Sequence, residues 1–419
     1  LAVGLIGGGA AYAFLGGGND NSEATPTTVA IVATATSAPL VTATFTPEPT
    51  ATIPEPTATV AEAPTPTSAP EPTATEVVVV PPTETPPPPP APTLLFAANL
   101  GIAPGTLELV TMDANGSNKQ RLTNNQWDDW AAQWSPDGLG IAYVHQIFIQ
   151  GGPENSNIYL MNADGSNPRQ LTNASGLNEW PLWSPDGTKI VYSSTRDGNN
   201  EIYVFNLLTN TDTNISKSTA GDYTPYWSSD STQVVFTSGR SGGNDLYIAN
   251  ADGTGTPQRL TSEPTSEALP VFSPDGTKIV FVRNTGNGHV LVIMNADGTG
   301  QQVIATNVAD QPDTEWSPDG SRISYVGLAA GNPDIYIVNP DGSESSRVQL
   351  TVHPGADTAP SWSPDGSLIV FLSTRDNIMA ADGKGPVKQL YIMNPDGSGQ
   401  RRISSDPVDH WYPDWRPGS

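Results

Sequence analysis

Acidic residues recur at a nearly fixed distance ahead of an aromatic residue. Asp128 and Asp129 precede Trp134, and Glu179 precedes Trp183. Asp222 precedes Trp227, Glu267 precedes Phe272, and Asp310 precedes Trp316. Asp357 precedes Trp362, and Asp409, beside His410, precedes Trp415. Carboxylates that converge from such repeated positions do electrostatic work: they draw in a cation or a basic peptide. The same spacing suits a local role, each acid capping its own loop or pairing with an arginine such as Arg196, Arg240 or Arg375. Recurrence in every unit favours the local role. The neighbouring aromatics Trp127, Trp130, Trp180, Tyr223, Trp411 and Tyr412 occur in only some units. That irregularity makes them, together with His410, candidates for contact with a partner.

Covalent and metal chemistry find less support. The chain has no cysteine, which excludes disulfides, thiolate nucleophiles and thiolate metal sites. No G-x-S-x-G elbow is present. The four histidines, His145, His289, His353 and His410, fall in different repeat units, whereas a metal site needs several to converge. The Asp-Gly turns lack the D-x-D-x-D spacing of a calcium loop. The sequence therefore assigns no catalytic residue, no metal ligand and no cofactor, with a structural Ca²⁺ as the alternative. The net charge of −25 repels phosphate and argues against nucleic acid. Cations, basic protein or peptide patches, and an envelope polysaccharide remain as partners.

The elements that must hold these residues follow from an internal repeat. W-S-P-D-G begins at Trp134, Trp183, Trp316 and Trp362, with variants at Trp227 (W-S-S-D-S), Phe272 (F-S-P-D-G) and Trp415 (W-R-P-G-S). The intervals lie near the length of one four-stranded propeller blade. Each unit carries four short apolar runs. Second strands are expected to begin near Leu94, Gly140, Lys189, Gln233, Lys278, Arg322 and Leu368. Third strands centre on Leu109, Tyr159, Tyr203, Tyr247, Val292, Tyr336 and Tyr391. In the third unit, residues 181–184, 189–194, 201–206 and 213–216 are expected to be the four strands. S-P-D-G and N-A-D-G supply the tight turns between them.

The count predicts an all-β, seven-bladed propeller over residues 93–419. Its first unit starts with its second strand, so its inner strand must come from the C-terminal W-Y-P-D-W, 411–415. Closure of this kind protects sheet edges. Trp134, Trp183, Trp227, Phe272, Trp316, Trp362 and Trp415 are expected to wedge between blades. The connections from second to third strand share a face with the acids and vary most, as in 145–157 and 373–389. Such loops commonly carry binding.

The pattern W-S-P-D-G, x-I-Y-x-M-N-x-D-G and R-x-L-T resembles the TolB-like, WD-like propeller repeat family across 93–419. That resemblance implies a propeller that binds proteins or peptides at its ring face in the cell envelope. The family's small α/β domain has no counterpart here.

Two segments precede the propeller. Residues 1–18 are apolar, uncharged and Gly-rich, slightly short of the roughly 20 residues that span a bilayer. They are read as the end of a transmembrane anchor, with a signal segment as the competing reading. Residues 19–92 are rich in Thr and Pro and carry only acids, which predicts a disordered, extended stalk. The expectation is a membrane-anchored, extracytoplasmic, non-catalytic binding scaffold. The alternative is a polysaccharide-active, lyase-like enzyme with a metal-assisted site in the channel.

Overall fold

Alternating β-branched and aromatic residues punctuated by Asp-Gly turns leave little choice but antiparallel hairpins. The computed structural model describes residues 93–100, 106–147, 155–329, 331–380, 383 and 385–418. All of these belong to one compact unit. The anchor and stalk expected over 1–92 lie outside the described residues. Among the described residues, one turn of 3₁₀ helix at Glu344–Ser346 is the only helical element, and no helix is long and apolar enough to cross a membrane.

The strands form five sheets of four and one of eight. In blade 1 the order is His410–Trp415, Thr93–Ala98, Glu108–Asp113 and Gln120–Arg121. The last strand of the chain therefore pairs antiparallel with the first, Leu94 opposite Trp415 and Ala98 opposite His410. Blades 2, 3 and 4 begin with the inner strands Asp128–Trp134, Asn178–Trp183 and Asp222–Trp227. Blade 7 begins with Asp357–Trp362. The eight-stranded sheet is two such units, blade 5 from Ser266–Phe272 and blade 6 from Glu315–Trp316. They join where Val308, at the end of an unusually long outer strand (Gln302–Val308), pairs with Gly327.

Each blade packs on the next, and blade 7 packs on the closing strand of blade 1, so the ring shuts. The apolar cores lie between blades. Phe96 and Trp415 pack with Val370 of blade 7, and Val204 and Val191 pack with Trp227 of blade 4. Six of the seven wedge residues are buried; Trp183 is half-buried. Indole Nε1 of Trp227, Trp316 and Trp415 donates to the backbone carbonyls of Leu182, Val271 and Ser361 in the preceding blade. These three wedges thus pin their neighbours by a hydrogen bond as well as by burial.

Two details depart from expectation. The fourth strand of blade 3 is Thr211–Asn214 rather than 213–216. Outside blade 6 the inner strands also start earlier than the apolar run suggests, because each contains a kink. The residue three before the wedge has positive φ in all seven blades: Ala131, Trp180, Thr224, Leu269, Asp313, Ala359 and Tyr412. Outside blade 6 the strand register slips at these points, the signature of a bulge. Proline follows the kink at 181, 225, 270, 360 and 413, so no backbone donor is stranded there.

Candidate functional site

Strand order puts the second-to-third-strand loops and the starts of the inner strands on one face, here the loop face. The S-P-D-G and N-A-D-G turns occupy the other, the turn face.

On the loop face the expected acids do not form one ring. Counted from the wedge residue, they occupy three registers with different surroundings. The position five before the wedge holds Asp129, Asn178, Asp222, Glu267, Asp357 and His410, all 0% exposed. Their partners come mostly from the end of the adjacent second strand. Arg240 Nη2 reaches both oxygens of Asp222 at 3.1 Å. Arg283 Nε lies 3.0 Å from Glu267, Arg375 Nη2 lies 2.9 Å from Asp357, and His145 Nδ1 lies 2.6 Å from Asp129. Arg196 uses this register differently, donating to Asn178 at 3.0 Å and pairing with Asp212. Burial pushes the carboxyls of Asp222 and Glu267 up, against the pull of their hydroxyl and arginine partners. These acids are interior ion pairs, and the local role is the one the structure gives them.

The remaining acids lie nearer solvent. Asp128 and Asp409, six before the wedge, accept the backbone N–H of Leu107 and Lys388, each at 2.8 Å. Desolvation raises the Asp128 carboxyl. Asp310 is 86% exposed and pairs with His289 at 2.9 Å. Glu179, four before the wedge, accepts from Ser156 Oγ at 3.2 Å.

The kinks turn aromatic side chains into the channel. Trp130 of blade 2, Trp180 of blade 3 and Tyr412 of the closing strand meet with ring centroids 4.7 to 6.0 Å apart. Leu269, from the kink of blade 5, packs against the same cluster. Residues from four blades therefore plug the channel beneath the loop face. Burial raises the Tyr412 phenol, with the charges of Glu179 and Asp313 adding to it. Trp130, Trp180 and Tyr412, expected as partner contacts, pack on one another, Trp180 buried and the other two half-buried. Trp127, Tyr223 and Trp411 stay partly accessible, with Lys388 Nζ 4.5 Å from the Trp411 ring. His410 lies beneath this surface, fully buried, and desolvation lowers it to about 4, which keeps it neutral.

The histidines are not brought together. His145 pairs with Asp129, His289 with Asp310, His410 with the Lys388 carbonyl, and His353 accepts from Gly355 N at 3.1 Å. Among the described residues no group of three or more His, Cys, Asp or Glu is placed to hold a metal ion.

The turn face is different. A cavity of about 410 Å³ opens there, lined by the ends of the inner strands of blades 2 to 6. Its walls include Trp183, Tyr226, Trp227, Phe272 and Trp316, and Glu315 lies among them. Glu315 immediately precedes its wedge residue, a register that faces the next blade. Its carboxylate accepts from Trp362 N at 3.2 Å and Ser361 Oγ at 3.5 Å. In the same register of blade 1, Asp414 accepts from Trp134 N at 2.9 Å. These carboxylates satisfy inner-strand N–H groups that face the channel and have no ladder partner. Desolvation raises Glu315 to about 8, despite its two donors and with Asp414 adding to it, and raises Asp414 to about 7. Neither residue was anticipated from the sequence. The available signal was an acidic residue directly before the wedge, where other blades carry Gln133, Leu182, Tyr226, Val271 and Ser361.

Around this end, the turn aspartates Asp137, Asp186, Asp230, Asp275, Asp319 and Asp365 are exposed. Each is bound by its own turn: Ser273 Oγ and Thr277 N donate to Asp275 at 2.6 and 3.0 Å. Such bonds hold Asp275 below the usual carboxylate range and bring Asp319 to about 2. Asp186, which also has Lys189 at 3.3 Å, sits at about 2 because its hydrogen bonds outweigh desolvation.

Known proteins share this architecture. TolB from Acinetobacter baumannii aligns at 21% identity over 78% of this chain and 67% of its own, with a TM-score of 0.50. An oligogalacturonate lyase in complex with manganese aligns at 21% identity over 74% of this chain and 84% of its own, TM-score 0.53. A puromycin hydrolase aligns at 17% over 76%, TM-score 0.58, and this chain spans about half of it, 53%. At such identities these likenesses describe the fold. The model of the TolB beta propeller domain matches residues 96–315 and 313–419, and the chain belongs to that family.

Proposed function

We propose that this chain is a non-catalytic binding scaffold that engages a protein or peptide through its loop face. We place the propeller outside the cytoplasm, tethered through its N-terminal apolar segment. The observation that carries the reading is the aromatic plug. With Trp130, Trp180 and Tyr412 filling the channel mouth, the loop face offers a broad surface rather than a pocket for a small substrate. Partly accessible Trp127, Tyr223 and Trp411 on that surface are the residue types that dominate interface energetics. The longest second-to-third-strand connections, 374–388, 99–107 and 148–154, belong to the adjacent blades 7, 1 and 2.

The test is capture of envelope proteins and peptides by the immobilised chain, compared with a Trp127→Ala/Trp411→Ala variant. Two anchors lost together should weaken retention of a genuine partner by about tenfold or more. Retention unchanged by the double substitution removes the loop face from consideration. Turnover of oligogalacturonate by the wild type with added Mn²⁺ would replace the scaffold with the polysaccharide-active enzyme.

A further inference from the structure

The turn-face cavity is a second feature, independent of the loop-face reading. Its volume of about 410 Å³ falls within the roughly 300–1,000 Å³ typical of small-ligand pockets. The walls are aromatic and the polar groups few, which is the usual make-up of such pockets. Among the described lining residues none is basic. The donors to Glu315, Trp362 N and Ser361 Oγ, are neutral, so its carboxylate has no counter-charge. The charged and titratable groups that face it are Asp414 and the Tyr226 phenol, which add no positive charge.

Two further observations point to a ligand. Trp183 is the one wedge residue only half-buried, which leaves part of its ring exposed. Trp183 lines the cavity. The rim is also negative: Asp186, Asp230 and Asp275 adjoin Pro185, Ser229 and Pro274, which line the opening. These exposed aspartates stay ionised because their own turns hold them, so they draw cations toward the mouth.

We propose that the turn-face end of the channel binds an organic cation, an alkylammonium or guanidinium group on an apolar stem, with Glu315 as its counter-charge. The stem lies against Trp183, Tyr226 and Trp227, and the cationic head sits among aromatic faces, which attract it further. An ionised carboxylate favours entry of the cation, so Glu315 releases its proton to solvent as the ligand binds. Binding therefore tightens as pH rises through about 8.

Calorimetric titration of the full chain with 1,5-diaminopentane tests this, with 1,5-pentanediol as the neutral control. Saturable one-to-one binding is expected at pH 8.5, weakened about tenfold at pH 6, with none for the diol. Glu315→Gln should weaken binding about tenfold at pH 8.5 and remove the pH dependence. Ser229→Arg adds bulk and charge at an exposed rim position. It should block binding with the unfolding midpoint unchanged, which keeps the test decisive if Glu315→Gln fails to fold. A Gly-Gly-Lys peptide bound more tightly than the free diamine places the cation on a peptide, and the reverse order places it on a free amine. Absence of saturable binding at pH 8.5, equal binding of the diol, or unchanged affinity in Ser229→Arg overturns the proposal. The Trp127→Ala/Trp411→Ala variant should bind the diamine normally, so this site and the loop face stand or fall separately.

Discussion

The two faces of the propeller carry acids in opposite ways. On the loop face Asp222, Glu267 and Asp357 are buried against arginines and project little charge. On the turn face Asp230, Asp275 and Asp319 are exposed and tied to their own turns, so their charge reaches solvent. Regular spacing alone does not distinguish the two. The difference is the neighbour: a long arginine reaching back from an adjacent strand makes an interior pair, whereas a serine hydroxyl two residues away makes a surface cap. A repeated acid is therefore a binding feature only where its partner is local and its other oxygen is left to water.

The closing strand His410–Trp415 spans both faces, with Tyr412 in the plug and Asp414 at the turn end. Removing residues 405–419 should have the largest effect. Blade 1 then loses its inner strand and the pairing of Leu94 with Trp415, and a sheet edge is exposed. Loss of a single cooperative transition in urea unfolding is expected. A truncated chain that unfolds as sharply as the full one would falsify the closure.

Next comes the pairing itself. Arg240→Ala strands the fully buried Asp222 and removes a guanidinium stacked 4.7 Å from the Tyr247 ring centre. Breaking such a pair costs about 3–5 kcal/mol. Adding Asp222→Asn should restore part of it, since a neutral amide tolerates burial better. On the turn face, Asp275→Ala removes a surface cap and should cost about 1 kcal/mol. Equal losses from the two substitutions, measured by urea unfolding, would erase the distinction between the faces.

Much of this was legible in the sequence. Second strands start within a residue or two of the expected positions, and third strands centre near the expected residues, because period-two alternation and Asp-Gly turns fix both. The closing strand followed from counting. What failed was the inner strand. Its left-handed residue breaks the alternation, and at Trp180, Leu269 and Tyr412 that residue is large, which no propensity argument suggests. Blade 6 departs furthest, with an inner strand of Glu315–Trp316 alone. There Pro312 O accepts from Val326 N at 2.6 Å outside the regular ladder. The acids were misplaced because a spacing of four to six residues merges three registers. Counting to the single residue isolates one column that is polar in every blade, including Asn178, Gln311 and His410. A column that is always polar but not always charged signals hydrogen bonding in the interior rather than a field.

The turn face should also divide by pH, its surface caps from its buried carboxyls. Turn-face carboxyls such as Asp319, at about 2, are held below their unfolded values. The stability they contribute is present above about pH 4 and is lost as pH falls toward 2. Glu315 and Asp414, at about 8 and 7, are raised above theirs. The folded state then binds more protons than the unfolded state between about pH 4 and 8, so stability falls as pH rises through that window. Urea midpoints should peak near pH 4–5 from these groups and decline toward pH 8.5. Glu315→Gln should flatten the decline and leave the acid limb alone. A decline of equal slope in that variant would detach Glu315 from the effect.

The smallest effect is expected where one turn departs from its repeat. Five S-P-D-G turns place glycine at positive φ, while W-S-S-D-S places Ser231 there, at φ 62°. Serine pays a steric penalty in this region, yet its Oγ accepts the backbone N–H of Asp186 in the preceding blade at 3.0 Å. Ser231→Gly relieves the backbone and deletes that inter-blade bond. Relief and loss are each of order 1 kcal/mol, so the net change in stability should stay within about 0.5 kcal/mol. Asp186 would lose only a backbone tether; its carboxylate keeps Ser184, Thr188 and Lys189. A loss of several kcal/mol would mean that turn-face blades are stitched to one another as firmly as the loop-face ion pairs, and the contrast between the faces would narrow accordingly.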